Sequence, residues 1–313
     1  MIASKISRRS VLIVVVGCVL LAALGLWLRA QRGIIVEVHT DALAADSQET
    51  GAVEFTIATY NVQARPVLDN SRHKFKYISP LLNQFDICAI QECFKDHRRL
   101  WQEARHSVKI YHASLKHPFE LVSSGLSILG NFPLQDVAET HFADEGDAQN
   151  WPASKGVLKA TFDMNGMMLD VYTTHIAAGS KPASRRARFT QGDALIQFIH
   201  ENSPSDHSFI VLGDFNMRPS RGAEDKEKNK DNPKVMGFDH LVEALNVEDA
   251  SDIINGPTGT EIDRVLFRAG EGHHLQVLGW ERGDPAFVDP EGKALSDHVP
   301  VSVRFRLSLD ESL

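Results

Sequence analysis

Cysteine is scarce in this sequence, which has three Cys among 313 residues. A small secreted domain held together by disulfides needs a much higher share, so that class of protein is excluded. Cys18 falls in an apolar N-terminal segment, whereas Cys88 and Cys93 flank the end of a predicted strand. All three are predicted to be small buried or lipid-facing side chains, and no disulfide is expected.

Basic side chains are in short supply over most of the chain. Residues 1–33 carry five Lys and Arg and no acid, which leaves 28 basic and 41 acidic side chains in the other 280 residues. A body with this acidic excess has no general electrostatic attraction for nucleic acid or for an anionic membrane. A local basic groove is compatible with that balance. The hydrophobic fraction of 43% and the charged fraction of 24% exclude a disordered chain.

A long apolar run covers residues 11–28. As a helix it spans about 27 Å, close to the hydrocarbon core of one bilayer. Basic residues precede the run, so its amino end is expected in the cytoplasm. No small-x-small cleavage site follows it closely. We expect residues 1–33 to be an uncleaved signal anchor with a transmembrane helix over 11–28, which places the rest of the protein in the periplasm or outside the cell. Cleavage after Ala44 is the alternative.

Residues 34–51 are predicted to be a linker, and residues 52–309 a single α/β domain. Helices are predicted over 183–201, where an apolar stripe recurs at helical spacing, and over 72–85 and 238–246. Residues 221–234 are almost wholly polar and are expected to form an exposed loop. Short apolar runs, several of them alternating with polar residues, predict strands at 53–60, 86–91, 125–130, 156–162, 169–175, 208–214, 261–267, 275–280 and 299–305. So many strands predict two sheets packed together with helices outside.

Polar side chains gather at the ends of these strands, where a scaffold presents side chains to a cleft. Each alone is more often a solvated or hydrogen-bonded residue than a ligand. Together they make an oxygen-rich set without thiolates, which selects a hard cation, Mg²⁺ or else Mn²⁺, over zinc. The Asp and His members also suit general acid–base chemistry. The set comprises Asn61, Glu92, His175, Asp214, Asn216, Asp263, Asp297 and His298.

The order of these pieces, TYN…IQE…GLSILGNFPL…TTH…GDFN…EIDRV…SDHVPV, resembles the endonuclease/exonuclease/phosphatase superfamily with its deoxyribonuclease-I-like fold. The resemblance covers residues 53–307. It implies a four-layer α/β/β/α sandwich, in which two mixed sheets pack face to face with helices outside. It also implies divalent-metal-dependent hydrolysis of a phosphoester by in-line attack of water.

The resemblance implies particular roles on the metal side of the site. Glu92 resembles the direct metal ligand, and Asn61 lies beside it in the metal and phosphate environment. Asp297 supports the same side. Asp214 and Asn216 resemble the pair that positions the attacking water and the phosphoryl oxygens.

The two histidines are implied to act on the phosphate. His175 resembles the histidine that donates to a non-bridging phosphate oxygen and steadies developing charge. Asp263 resembles the carboxylate that orients the histidine of the final motif. That histidine, His298, is then either the general base or the charged partner of the phosphate.

The substrate is less sharply indicated, since this fold serves DNA, RNA, inositol phosphates and phospholipid head groups. The segment around Lys155 resembles the lysine-glycine segment of neutral sphingomyelinase-type phosphodiesterases, as do the IQECF and THIAAG stretches. With the N-terminal anchor, these features favour a phospholipid head group as substrate. A surface lysine that precedes a strand is the competing interpretation of Lys155.

Two other functions stay open. An exported metal-dependent endonuclease needs a basic groove for nucleic acid. Arg185 and Arg188, three apart on the predicted 183–201 helix and so expected on one face, are the best candidates, although a solvated helix face explains them too. A catalytically inactive, membrane-tethered binding module is the second alternative, which the complete polar set disfavours. No obligate protein partner is predicted.

Overall fold

In the computed structural model the described residues are Gly25, 33–39, 51–117, 120–148, 150, 152–229, 232–257 and 259–310. The expected transmembrane helix over 11–28 lies outside them apart from Gly25, as does Cys18. Within the described part of the chain, no helix combines the length and the apolar composition needed to cross a membrane.

Strands and helices are interspersed along the described chain. The strands are β1 (Ile34–Val38), β2 (Ala52–Asn61), β3 (Ile87–Gln91), β4 (Val108–His112), β5 (Ser127–Gly130), β6 (Leu134–His141), β7 (Gly156–Met164), β8 (Met167–His175), β9 (Ser208–Asp214), β10 (Glu248–Asp249), β11 (Asp263–Arg268), β12 (His273–Arg282) and β13 (Val301–Leu309). The helices are α1 (Ser71–Leu81), α2 (His97–Leu100), α3 (Pro182–Asn202), α4 (Gly222–Lys228), α5 (Pro233–Leu245) and α6 (Ala250–Asn255), and a 3-10 turn covers Leu82–Gln84.

The strands form two mixed sheets. The first has seven strands in the order β1-β4-β5-β3-β2-β13-β12, and the second has six in the order β10-β11-β9-β8-β7-β6. Each sheet contains one parallel pair, β2 with β3 and β8 with β9, and its other neighbours are antiparallel. The expectation of two mixed sheets is confirmed.

A hydrophobic core lies between the sheets. In β13 every second side chain from Val301 to Leu307 is buried, as an alternating apolar pattern requires for a strand with one face on a core. The ring of Phe305 in the first sheet contacts Phe267 in the second, with centroids 5.2 Å apart. Further buried residues from both sheets complete this core.

Helices cover the outer face of each sheet. Phe75 and Ile78 of α1 pack in a cluster with side chains of the first sheet. On the second sheet, α3 and α5 pack through an apolar stripe that includes Leu195 and Leu241. The helices predicted over 72–85, 183–201 and 238–246 correspond to α1, α3 and α5.

The structure departs from the sequence-based expectations at several places. Residues 34–38, assigned to the linker, form β1, which pairs antiparallel with β4. Within the expected loop 221–234, residues 222–228 form helix α4, because acids in the first turn and lysines in the last suit the helix dipole. The strands β4 and β6 were not predicted. Cys88 and Cys93 are free and buried, as expected.

Candidate active site

Strand register brings the polar residues of the second sheet into one row. His175 pairs with Asp214 across the parallel strands β8 and β9, and Asp214 pairs with Asp263 across β9 and β11. A side chain on Gly213 would collide with the Thr174 carbonyl oxygen, so only glycine lets β9 approach β8 this closely beside the row. The pairing of β8, β9 and β11 therefore places the Cα atoms of His175, Asp214 and Asp263 side by side.

Asn61, at the end of β2, links the two sheets across this row. Its Nδ2 atom donates to Glu92 Oε1 at 3.1 Å and to Asp214 Oδ2 at 3.1 Å. The backbone N–H of Gln63 donates to Asn61 Oδ1 at 3.0 Å and fixes the orientation of the amide. Asn61 is thus in direct contact with Glu92, the other of these residues expected to bind the metal, and with Asp214, which was expected to position the attacking water.

Glu92 carries two features typical of a ligand-binding residue. Its backbone is left-handed, with φ of 55°, which is strained for a side chain of this kind and directs it away from the strand axis. Its Oε2 atom is buried and has no hydrogen-bond donor among the described residues. A buried carboxylate oxygen without a donor is stabilised by a cation. Carboxylate oxygens are ligands of hard cations, so Glu92 fits Mg²⁺ or Mn²⁺.

His298 is held in its protonated form by acids. Its Nδ1 atom donates to Asp263 Oδ2 at 2.8 Å, and its Nε2 atom lies 3.7 Å from Asp214 Oδ2. Burial alone lowers the pKa of the imidazole, but the hydrogen bond to Asp263 and the charges of Asp263, Asp214 and Asp297 outweigh it and raise the pKa to about 9. At neutral pH His298 is therefore a cation that points at the centre of the site.

His175 has the opposite electrostatic environment. Its Nε2 atom lies 3.6 Å from Asp214 Oδ2 and 3.9 Å from Glu92 Oε1. Burial, with the positive charges of Lys155 and His298 nearby, holds its pKa well below the ordinary histidine value. A neutral imidazole can donate one hydrogen bond to a phosphate oxygen without adding charge. The two histidines are thus suited to different tasks.

Asp214 is the most confined carboxyl group of the site. Burial and the charge of Asp263 raise its pKa to about 6, although His298 and Lys155 act in the opposite direction. Its Oδ1 atom accepts the backbone N–H of Asn216 at 2.9 Å. A carboxylate whose pKa lies near neutrality accepts a proton from water more readily than an ordinary one.

Lys155 lies inside the site and not on the surface. Its Nζ atom donates to the Ile176 carbonyl at 2.9 Å, and the Nδ2 atom of Asn216 donates to the same oxygen at 3.1 Å. Burial lowers the pKa of Lys155 to about 8, against the raising effect of Asp214 and Glu92. The interpretation of Lys155 as a surface lysine is therefore wrong, and its ammonium group is available beside the acids.

The two candidate arginines are separated by the structure. Arg188 is fully buried, and its Nη1 atom donates to the carbonyls of Ala177 and Gly179 at 3.0 and 2.8 Å. Arg185 is exposed on the same helix, α3. The expectation that they share a face is wrong, because Arg188 is needed to hold the loop after His175.

Asp297 is exposed and reaches the site mainly through its charge. It contributes to the raised pKa of His298, and its Oδ1 atom lies 3.4 Å from the Ser296 hydroxyl. That hydroxyl donates to the Asn61 carbonyl at 2.7 Å, so the SDH segment is fastened to the end of β2. Ser296 was not singled out from the sequence, although its place beside Asp297 could have indicated it.

Gln91 also escaped the sequence reasoning. Its Nε2 atom donates to Thr173 Oγ1 at 2.9 Å, and its Oε1 atom accepts from Thr59 Oγ1 at 3.2 Å. The first of these bonds joins the two sheets beside the site, and the second links β3 to β2 within the first sheet. The polar residues Thr59 and Thr173 at strand ends, where apolar residues usually pack, were the available signal.

A cavity of about 460 Å³ opens from the candidate active site to the surface. Glu92, Lys155 and His175 line its floor. Its rim carries three exposed apolar side chains, Val67, Leu68 and Leu121, with exposed fractions of 97%, 73% and 59%. The site is therefore a charged pocket with an apolar entrance.

Comparison with known proteins gives a consistent picture. The model of the Endonuclease/Exonuclease/phosphatase family matches residues 58–298. A sphingomyelinase of Mycobacterium tuberculosis is 27% identical over 285 residues, which cover 84% of this chain and 54% of the relative. Human sphingomyelin phosphodiesterase 2 is 24% identical over 270 residues, covering 79% of this chain and 63% of the relative. The chain thus spans between about half and two thirds of the length of these curated relatives.

Solved structures share the fold at low sequence identity. Sphingomyelinase C from Streptomyces griseocarneus superimposes with a TM-score of 0.55 at 18% identity, covering 80% of this chain and 99% of that one. A Staphylococcus aureus beta toxin mutant with bound magnesium ions gives 0.54 at 15% identity, with coverage of 80% and 99%. Humanized D. rerio TDP2 gives 0.58 at 16% identity, with coverage of 80% and 98%.

Proposed function

The chain belongs to the Endonuclease/Exonuclease/phosphatase family, and we propose that it is a metal-dependent phosphodiesterase acting on a phospholipid head group. The assignment of a lipid substrate rests on one observation, the apolar rim around the mouth of the charged pocket, which consists of Val67, Leu68 and Leu121. A head group needs a polar pocket for its phosphate and an apolar surface for the lipid beside it. The sphingomyelinases among the relatives support the same choice.

The apolar rim is unusual for a water-facing surface. Val67 has a left-handed backbone with φ of 66°, which is strained for a β-branched residue, and its side chain is almost wholly exposed. Leu68 follows it and is also exposed. Exposed apolar side chains clustered at a cavity mouth are typical of interaction surfaces. Here the surface would press against lipid while the pocket beneath receives the phosphate.

The residues of the site divide the chemistry between them. Glu92 would hold Mg²⁺, which neutralises the phosphate and stabilises charge on its oxygens when bound, and Asn61 beside it would position Glu92 and Asp214 through its amide group. Asp214 would accept the proton of the attacking water, since its pKa of about 6 makes it anionic yet basic near neutrality. His298, cationic with a pKa of about 9, is better suited to pair with the phosphate than to act as the base.

Two further groups would bind the phosphate from the other side. His175, neutral and within 4 Å of Glu92 and Asp214, would donate to a non-bridging oxygen. Lys155 adds a positive charge next to the same acids. Asp263 acts through His298, whose ring it orients and keeps protonated.

We also propose that residues 1–33 anchor the domain to a membrane and that the domain faces the periplasm or the exterior. The apolar run over 11–28 and the preceding basic residues support this placement. Protease treatment of intact and lysed cells tests it. Digestion of the domain only after the inner membrane has been lysed would contradict the proposed orientation.

The substrate is tested with sphingomyelin vesicles and supercoiled plasmid, each incubated with the full chain in Mg²⁺ or in EDTA. We expect Mg²⁺-dependent release of phosphocholine and an intact plasmid. Nicked plasmid with untouched lipid would instead identify a nuclease, which the burial of Arg188 disfavours. The same assay distinguishes an enzyme from a catalytically inactive binding module, because a binding module would cleave neither substrate.

The apolar rim has its own test. Replacing Val67 and Leu68 by Ser is expected to reduce turnover of vesicle lipid at least about tenfold while a soluble phosphodiester is cleaved at the wild-type rate. The matched control replaces Ile253 and Ile254, an exposed apolar pair on α6, by Ser. Equal losses in the two double variants would contradict a role of the rim in lipid contact.

A further inference from the structure

A second group of metal-binding side chains lies between strands β4 and β6. His112 ends β4 in the first sheet, whereas Glu139 and His141 are two apart on β6 in the second sheet and so lie on one side of that strand. One donor atom from each of the three lies within 4.8 Å of the others. None of these residues contributes to the pocket described above, and they have no role in the proposed mechanism.

His112 is fully buried, and its Nδ1 atom has no hydrogen-bond partner among the described residues. Its Nε2 atom is in ion-pair contact with Glu139 Oε2 at 2.9 Å. Two ligands on one tetrahedral zinc ion are separated by about 3.3 Å, given metal–ligand distances near 2.0 Å. The two atoms would thus have to move apart by about 0.4 Å to share one ion.

His141 is oriented as metal-binding histidines are. Its Nδ1 atom lies 3.0 Å from the Ser154 carbonyl, which can only accept, so Nδ1 carries the proton and Nε2 the lone pair. A second nitrogen that donates to a backbone carbonyl is the usual support of a metal ligand. Nε2 now accepts from the Ser114 hydroxyl at 2.8 Å, and rotation of that hydroxyl frees the lone pair.

We propose that His112, Glu139 and His141 bind a divalent cation of the zinc class and thereby join the edges of the two sheets. Two imidazoles and one carboxylate suit zinc better than Mg²⁺, which prefers oxygen ligands. Glu139 is 24% exposed and provides the entry path.

The position of this site gives it a link to the pocket. Ser154, which holds His141, directly precedes Lys155, and the Phe142 N–H donates to the Lys155 carbonyl at 2.9 Å. A cation on His141 therefore fixes the backbone from which the Lys155 side chain reaches the acids. The proposal itself does not depend on the substrate or on the activity.

The test measures metal content and stability of the full chain, purified in detergent and stripped of metal. With millimolar Mg²⁺ present, the wild type is dialysed against micromolar zinc and analysed by mass spectrometry for metals. We expect about one zinc per chain in the wild type and in Glu92→Gln, and none in Glu139→Gln or His141→Gln. The matched control is His240→Gln, since His240 also lies 3.0 Å from a carboxylate, that of Asp193, but is exposed.

Stability and spectra provide independent readouts. Free zinc at about a hundred times the Kd should raise the Tm of the wild type by about 5 to 10 °C and leave Glu139→Gln unchanged. The cobalt form should show visible absorption bands that disappear in His141→Gln. Zinc retained in full by Glu139→Gln and His141→Gln, or lost from Glu92→Gln alone, would overturn the proposal, as would a wild type that binds no zinc.

Discussion

Replacing Asp263 by Asn tests the electrostatic design of the pocket most directly. Asp263 is the largest of the influences that raise the pKa of His298 from 6.5 to about 9. At 1.36 kcal/mol per pKa unit, that shift corresponds to about 3 kcal/mol in favour of the protonated ring. Without the hydrogen bond and charge of Asp263, burial dominates, and we expect a pKa at or below about 7 in the variant.

The assay is an NMR titration of the histidine ring protons in EDTA, so that no metal contributes. The His298 resonance is assigned by its loss in His298→Gln. Asp193→Asn, which removes the partner of the exposed His240, serves as the control and should leave His298 unchanged. If His298 in Asp263→Asn still titrates near 9, then the assigned partner is not what holds its proton.

The effect of Asp263→Asn on the free energy of unfolding should depend on pH in a defined direction. Because the pKa of His298 is raised in the folded state, its contribution is fully present below pH 6.5 and is lost as pH rises through 9. The difference in unfolding free energy between wild type and Asp263→Asn should therefore be largest near pH 6, at about 3 kcal/mol, and small near pH 10. Urea denaturation at the two pH values measures it. A difference that grows with pH would contradict the sign.

Three further changes probe the scaffold and the metal. Gly213→Ala should cost about 2 kcal/mol or more in urea denaturation, since the new methyl meets a backbone carbonyl, whereas Gly279→Ala, with open space around it, should cost little. Glu92→Gln should raise the Mg²⁺ concentration for half-maximal activity at least about tenfold, and an unchanged titration would place the ligand elsewhere. Arg264→Ala should cost about 3 to 5 kcal/mol because it leaves the buried Asp249 without the guanidinium 3.1 Å away, and Asp249→Asn in the same chain should restore part of that stability.

The strands that carry the site could be predicted because they alternate or run apolar and end in polar residues. His175 and Asp214 close two such runs, and their pairing follows from parallel register. Strands β4 and β6 could not be predicted in the same way. In β6 the sequence from Leu134 to His141 mixes charged and apolar residues, and none of them is fully buried, as on a sheet edge.

Burial of charged side chains was the other obstacle to prediction. Sequence spacing placed Arg185 and Arg188 together, but Arg188 is buried and its Nη1 atom donates to two backbone carbonyls, which leave no trace in a sequence. Lys155 is buried for a similar reason, with the Ile176 carbonyl as its partner. The apolar entrance formed by Val67 and Leu68 was missed because two residues in a loop are too few to make a hydrophobic pattern.

Strand β1 sets how far the domain can move from whatever precedes it. Because Ile34 pairs with β4 in the first sheet, only five residues of the sequence, 29–33, separate Leu28 from that strand. Fully extended, those residues reach about 20 Å. Ile34 also lines a second cavity together with Leu121 and Val122, which border the mouth of the active site. With the proposed anchor in a bilayer, this short connection would restrict the enzyme to lipids directly beneath it. Substrate supply would then depend on lateral diffusion of lipids in the membrane.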